Sequence, residues 1–113
     1  MKAKSVLVIG LGRFGRHLAN KMRELGNDVM IVDKDEKLVN ELAPKFTDSH
    51  IGDCTSEAVI RALGVKQMDY CFVSIGEDFQ SSLVITSLLK RVGAKYVVAK
   101  ANQDIQAELL TQI

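Results

Sequence analysis

An α/β fold built on a doubly wound parallel sheet is predicted by three features of this 113-residue sequence. Short apolar, β-branched runs recur at intervals of roughly two dozen residues. Amphipathic stretches of helical period lie between them. The first run also feeds straight into a glycine-rich turn that opens a helix. This alternation of βαβ units predicts a three-layer domain of five βα units with strand order 3-2-1-4-5.

Strands are expected over Ser5–Ile9, Asp28–Val32, Ser49–Gly52, Tyr70–Ile75 and Tyr96–Lys100. Four of them contain near-continuous apolar runs, such as Val6-Leu7-Val8-Ile9 and Val29-Met30-Ile31-Val32, as strands covered on both faces require. The third is short and polar, which places it at an edge. The first helix starts at the glycine turn, carries Phe14, Leu18, Met22 and Leu25 as its apolar stripe, and stops at Gly26. The second runs from Asp35 as N-cap to the neighbourhood of Pro44, the single proline. Thr55 or Ser56 caps a third helix that Gly64 closes. The fourth, from about Asp78 to Val92, is apolar over more than one narrow stripe, so it is either buried on two sides or turned toward another subunit. A fifth should start near Asn102 or Asp104 and carry Ile105, Leu109 and Ile113. No sixth strand follows it, which suggests the front part of a longer protein or an edge completed by a neighbour. With no repeat, low-complexity tract or linker, residues 1–113 read as one domain.

The bulk composition narrows the function classes. Fifteen Lys and Arg against fourteen Asp and Glu leave a net charge of +1, so no broad field draws the chain to nucleic acid or an anionic membrane. Any bound phosphate must be held by local geometry. Cys54 and Cys71 form neither a CxxC pair nor a zinc-spaced cluster with the two histidines, His17 and His50, and a reduced, cytoplasmic setting fits them. The apolar run Ser5–Ile9 is too brief for a signal h-region or a membrane span.

The chemistry gathers at Gly10-Leu11-Gly12-Arg13-Phe14-Gly15. Gly10 permits the tight turn, Gly12 removes a Cβ that would block a pyrophosphate, and Gly15 lets helix and strand pack closely. The helix N-terminus then presents N–H groups and a partial positive charge to phosphate. Asp33, about twenty residues on at the end of the second strand, is placed to accept hydrogen bonds from both ribose hydroxyls. Together these predict a Rossmann-like site for an adenine nucleotide, and the Asp33 carboxylate disfavours the 2′-phosphate of NADP. Lys34 beside it joins the candidate lining.

Other strand ends complete the crevice. Asp53 and Cys54 after the third strand are candidates for the adenine edge, although Asp53 equally reads as a helix cap near Thr55. After the fourth strand, Ile75, Gly76 and Glu77 offer backbone access to ribose or phosphate, and Gly76 alone would also suit an ordinary turn. Lys100, at the end of the fifth, is a candidate phosphate contact or an exposed lysine. Arg13 lies inside the loop, where the helix dipole mildly disfavours an idle cation, and its guanidinium is a candidate for a terminal phosphate.

Taken together, Val8-Ile9-Gly10-Leu11-Gly12-Arg13-Phe14-Gly15, Val32-Asp33, Ile51-Gly52-Asp53-Cys54-Thr55 and Ser74-Ile75-Gly76-Glu77 resemble the N-terminal half of the RCK (KTN) domain of Trk/Ktr-type potassium-uptake regulatory proteins. The resemblance implies a cytoplasmic regulatory subunit that assembles into dimers and rings beneath a membrane potassium transporter or channel. ATP, ADP or NAD(H) would shift that assembly between conformations. Gly10, Gly12, Gly15 and Asp33 would hold the nucleotide, and Arg13 would contact phosphate near the dimer interface. The choice between ATP/ADP and NAD(H) stays open, with Arg13 favouring a free terminal phosphate.

Two other classes use the same half-domain. A dehydrogenase would need a substrate domain with acid/base geometry, for which 113 residues leave no room; neither His17, on the first helix, nor His50, in the third strand, suits a catalytic base. A structural oligomerisation domain would also explain the apolar helices, and nucleotide titration separates it from a sensor.

Overall fold

The first strand lies at the centre of the sheet, as its apolar run demands. In the computed structural model, which describes residues 2–75 and 78–99, the strands are β1 (Ser5–Ile9), β2 (Asp28–Asp33), β3 (Asp48–Ile51), β4 (Tyr70–Val73) and β5 (Val97–Ala99). They are all parallel, in the order β3-β2-β1-β4-β5. Ile9 stands beside Val32 on one side and Val73 on the other. The order reverses between β1 and β4, so a crevice opens at their carboxyl ends.

Strand limits shift from the sequence expectation for local reasons. β2 gains Asp33 because that residue still pairs with Ile51 of β3, and β3 lies one residue earlier because Asp48 pairs with Met30. β4 stops at Val73 instead of Ile75, because β1 has ended at Ile9 and the Ser74 side chain bonds back to the following turn. β5 starts one residue later than expected, at Val97; its expected last residue, Lys100, and the fifth helix lie outside the described residues.

Alternate residues of β1 and β2 face opposite layers. Val6, Val8, Val29 and Ile31 pack with Ala19, Val39 and Leu42 of α1 (Arg13–Glu24) and α2 (Glu36–Leu42). Leu7, Ile9, Met30 and Val32 pack with Ile60, Ile85 and Leu89 of α3 (Glu57–Ala62) and α4 (Phe79–Val92). These are the three layers the pattern predicts.

The stripe expected on α1 is corrected. Its buried residues are Gly15 and Ala19, with Leu18 and Met22 half-buried, whereas Phe14 and Leu25 are 44% and 65% exposed. Small side chains let the helix axis approach the sheet, and that contact turns Phe14 toward the crevice. α2 starts as expected: the Asp35 carboxylate accepts from the Leu38 N–H at 3.1 Å, and a single 3-10 turn, Ala43–Lys45, carries Pro44 past its end. Ser56, not Thr55, occupies the N-cap of α3, without a side-chain cap bond. α4 buries Ser82, Ile85, Thr86, Leu88, Leu89 and Val92, while Leu83 is half-buried and Val84 exposed. Much of its wide apolar face is therefore covered within the chain. Its two buried hydroxyls are satisfied, Ser82 Oγ donating to the Ile75 carbonyl and Thr86 Oγ1 to that of Ser82.

Candidate functional site

The glycine turn is held by the ends of three strands. Gly10 N–H donates to the Val32 carbonyl of β2 at 2.9 Å, and Ser74 N–H donates to the Ile9 carbonyl at 2.9 Å. Gly10 has φ +94°, a conformation that only glycine adopts without strain, and a Cβ there would also lie 2.9 Å from the Ser74 carbonyl. A Cβ on Gly15 would run into the Gly10 carbonyl and Ser74 Oγ. A Cβ on Gly12 would meet nothing within 4 Å. Two of the glycines are thus required by the chain's own packing; the third leaves room for something else.

α1 begins at this turn with Gly12 as its N-cap, with no side-chain cap bond and no acidic residue in the first turn. The positive end of the helix dipole consequently meets no protein carboxylate of its own first turn. It opens into a cleft of about 660 Å³ at the carboxyl ends of the strands, within the roughly 300–1,000 Å³ of small-molecule sites.

Across the turn stands Asp33, half-buried at the end of β2. Its Oδ2 accepts from Leu11 N–H at 2.7 Å and its Oδ1 from Asp35 N–H at 2.9 Å. Asp35, not Asp33, caps α2 through its side chain, as the sequence suggested. A carboxylate offers about four acceptor positions, so two bonds fix the group while each oxygen keeps capacity for a ligand hydroxyl.

The cleft brings together the candidates Gly10, Leu11, Gly12, Arg13, Phe14, Asp33, Lys34, Asp53, Cys54 and Ile75. Gly15 lies beneath the turn and supports it. Gly76, Glu77 and Lys100 lie outside the described residues. His17 and His50 do not line the cleft; His50 Nε2 is 3.4 Å from Asp48 Oδ2.

The rim carries charge of both signs. Asp53 Oδ1 accepts from Thr55 Oγ1 at 2.7 Å and Thr55 N–H at 2.9 Å. Those bonds, the hydroxyl's first, hold its carboxyl below the usual range, with help from the Lys34 charge. Asp53 therefore shapes the turn before α3 without capping the helix from the N-cap position. On the opposite rim Asp78 accepts from Ser81 N–H and Ser81 Oγ, which lower its pKa likewise. Arg13 and Lys34 are exposed, and neither has a carboxylate partner within ion-pair distance among the described residues. Cys54 forms part of the floor; burial pushes its thiol up to about 12, reinforced by Asp53 and Asp33. It is protonated at neutral pH and serves as apolar lining.

Ser74, Ser81 and Ile85 also line the cleft, although sequence reasoning did not select them as site residues. Only Ser74 had a readable signal, a small polar residue closing an apolar strand opposite the glycine turn.

The family model of the TrkA-N domain matches residues 6–113. The Ktr system potassium uptake protein C of Bacillus subtilis (strain 168) is 40% identical over 110 residues, which are 97% of this chain and 50% of that protein. The chain thus spans about half the length of this relative. Among solved structures, the NAD(P)-binding domain of an exopolyphosphatase-related protein from Archaeoglobus fulgidus has a TM-score of 0.85 at 24% identity, covering 96% of this chain and 81% of the other. The GsuK channel bound to NAD has a TM-score of 0.81 at 15% identity, covering 98% of this chain and 20% of the channel. At these identities the solved structures establish the Rossmann-like fold alone.

Proposed function

The chain belongs to the TrkA-N domain family, and from that membership we propose that it is the nucleotide-sensing part of a longer regulatory subunit that controls a membrane potassium transporter or channel. Its relative in Bacillus subtilis is named for potassium uptake. The observation that carries the nucleotide reading is the open turn at Gly12, at the uncapped start of α1, facing the fixed carboxylate of Asp33 across one cleft. Phosphates lie against the first turn of α1, the ribose hydroxyls bond to Asp33, and the base occupies the space beside Cys54 and Ile75. Arg13 at the rim favours a ligand with a free terminal phosphate, ATP or ADP, over NAD(H); the Asp33 charge opposes NADP. That the GsuK channel, similar in fold to this chain, has been solved bound to NAD supports a nucleotide ligand without choosing among these.

No reaction is assigned to the domain: the nucleotide acts as a signal. The rim segments around Asp53 and Asp78 lead directly into α3 and α4. A ligand that draws the rims together therefore shifts α4, whose Val84 stays exposed, and with it a dimer or ring built on that helix at the cytoplasmic face of the membrane partner. It switches the assembly only to the extent that it binds one geometry better than the other. The test is calorimetric titration with ATP, ADP, NADH and NADPH of the wild-type chain, Asp33→Ala and Arg13→Ala. Binding of ATP, ADP or NADH, weak NADPH and loss in Asp33→Ala are expected; binding of none of them would leave an assembly domain without a ligand.

A further inference from the structure

The Gly10–Leu11 peptide is gripped at both ends. Its carbonyl accepts from Ser74 Oγ at 2.6 Å, and its N–H donates to Asp33 Oδ2 at 2.7 Å. A trans peptide is rigid and its C=O and N–H point in opposite directions, so fixing one end aims the other. Ser74 is 7% exposed at the edge of the cleft, and its hydroxyl is spent on the carbonyl end of this peptide, opposite the N–H end that meets Asp33. From this geometry we infer that Ser74 is a positioning residue for ribose recognition: its hydroxyl, acting through the Gly10–Leu11 peptide, holds the Asp33 carboxylate in register with the two ribose hydroxyls.

Two further observations make the side chain's role separable from the fold. The strand ends beneath the turn are joined by backbone bonds, Gly10 N–H to Val32 and Ser74 N–H to Ile9, which survive loss of the hydroxyl. The buried Leu11 side chain and the close approach of Gly15 keep the turn in place, while Ser74 Oγ is the side-chain donor that bonds the Gly10 carbonyl, so loss of the hydroxyl frees the aim of the peptide without unseating it. Without it Asp33 still meets the Leu11 N–H, but that N–H is no longer aimed, and the carboxylate is anchored firmly only through Asp35.

The inference rests on the nucleotide reading and is tested so that the two fail differently. ADP and 2′,3′-dideoxy-ADP, which lacks both ribose hydroxyls, are titrated into the full wild-type chain, Ser74→Ala and Ser74→Cys. Hydrogen bonds to a charged acceptor are strong enough that wild type should prefer ADP by about tenfold or more. Ser74→Ala should bring that preference to about threefold or less while binding of the dideoxy analogue changes little. Ser74→Cys, which keeps the side chain's shape but donates weakly, should fall between. A merely structural role would weaken both ligands alike and preserve the ratio. ADP binding with an unchanged ratio in either variant overturns the inference alone; no binding of ADP to wild type overturns the nucleotide reading and the inference with it.

Discussion

Gly15 packs directly on the carbonyl of Gly10, five residues earlier, so closely that a Cβ would collide with that oxygen and with Ser74 Oγ. Neither obstacle can move cheaply, because the Gly10 carbonyl is bonded to Ser74 and the turn is tied to β2. Overpacking against backbone of this kind costs about 3 kcal/mol. Gly15→Ala is expected to lose about that much in urea denaturation, whether or not nucleotide is present.

Gly12 should separate folding from binding. Its backbone, at φ −65°, suits any residue, and its Cβ would enter open space. Alanine is a poorer N-cap than glycine, so Gly12→Ala should cost about 1 kcal/mol or less of stability. The same methyl would occupy the approach of a pyrophosphate to the first turn of α1. Nucleotide affinity is therefore expected to fall at least about tenfold, a difference of ~1.4 kcal/mol, in a variant whose melting temperature has barely moved. Unchanged affinity would show that phosphate does not pass over Gly12.

Asp33 and Asp35 differ in what their loss should do. Asp35→Ala removes the cap bond to Leu38 and should cost about 1 kcal/mol of stability with nucleotide affinity intact. Asp33→Ala strips Leu11 N–H and Asp35 N–H of their acceptor and should cost about 1–3 kcal/mol while also abolishing ribose binding. Paired denaturation and titration curves distinguish the two. A loss of binding in Asp35→Ala equal to that in Asp33→Ala would mean that the α2 cap, rather than the ribose acid, governs the cleft.

Much of this arrangement was legible in the residues. The spacing of glycines after an apolar strand, with an acid at the end of the next, located the turn, α1 and Asp33, because each depends on local sterics and strand order. Apolar runs likewise gave the strands and, through the polar third run, the edge at β3; the full order followed from the fold class. What escaped was set by tertiary approach. The face of α1 is chosen by the small residues Gly15 and Ala19 pressing on the sheet, which leaves Phe14 at the cleft instead of in the core. Ser74 was visible as the small polar residue closing the apolar run of β4, but its bond to Gly10, 64 positions away, has no local pattern to announce it. Asp53 read equally as ligand contact or cap; its partner proved to be Thr55, two residues on, which only backbone geometry decides.

The two thiols predict how stability depends on alkaline pH. Burial raises both Cys54 and Cys71 from 9.0 to about 12. In the unfolded chain they ionise near pH 9, whereas in the folded chain they stay protonated, so between these values the unfolded state binds fewer protons. Stability is fully present below pH 9 and falls as pH rises toward 12. At pH 10 the expected loss is about 1.4 kcal/mol per thiol relative to pH 8. Cys71→Ala should lower stability at pH 8, because it empties a fully buried site, yet should shallow the decline between pH 8 and pH 10 by about 1.4 kcal/mol. Urea denaturation at pH 8, 9 and 10 measures both slopes. Equal slopes in wild type and variant would mean that Cys71 ionises as readily in the folded chain as in the unfolded one.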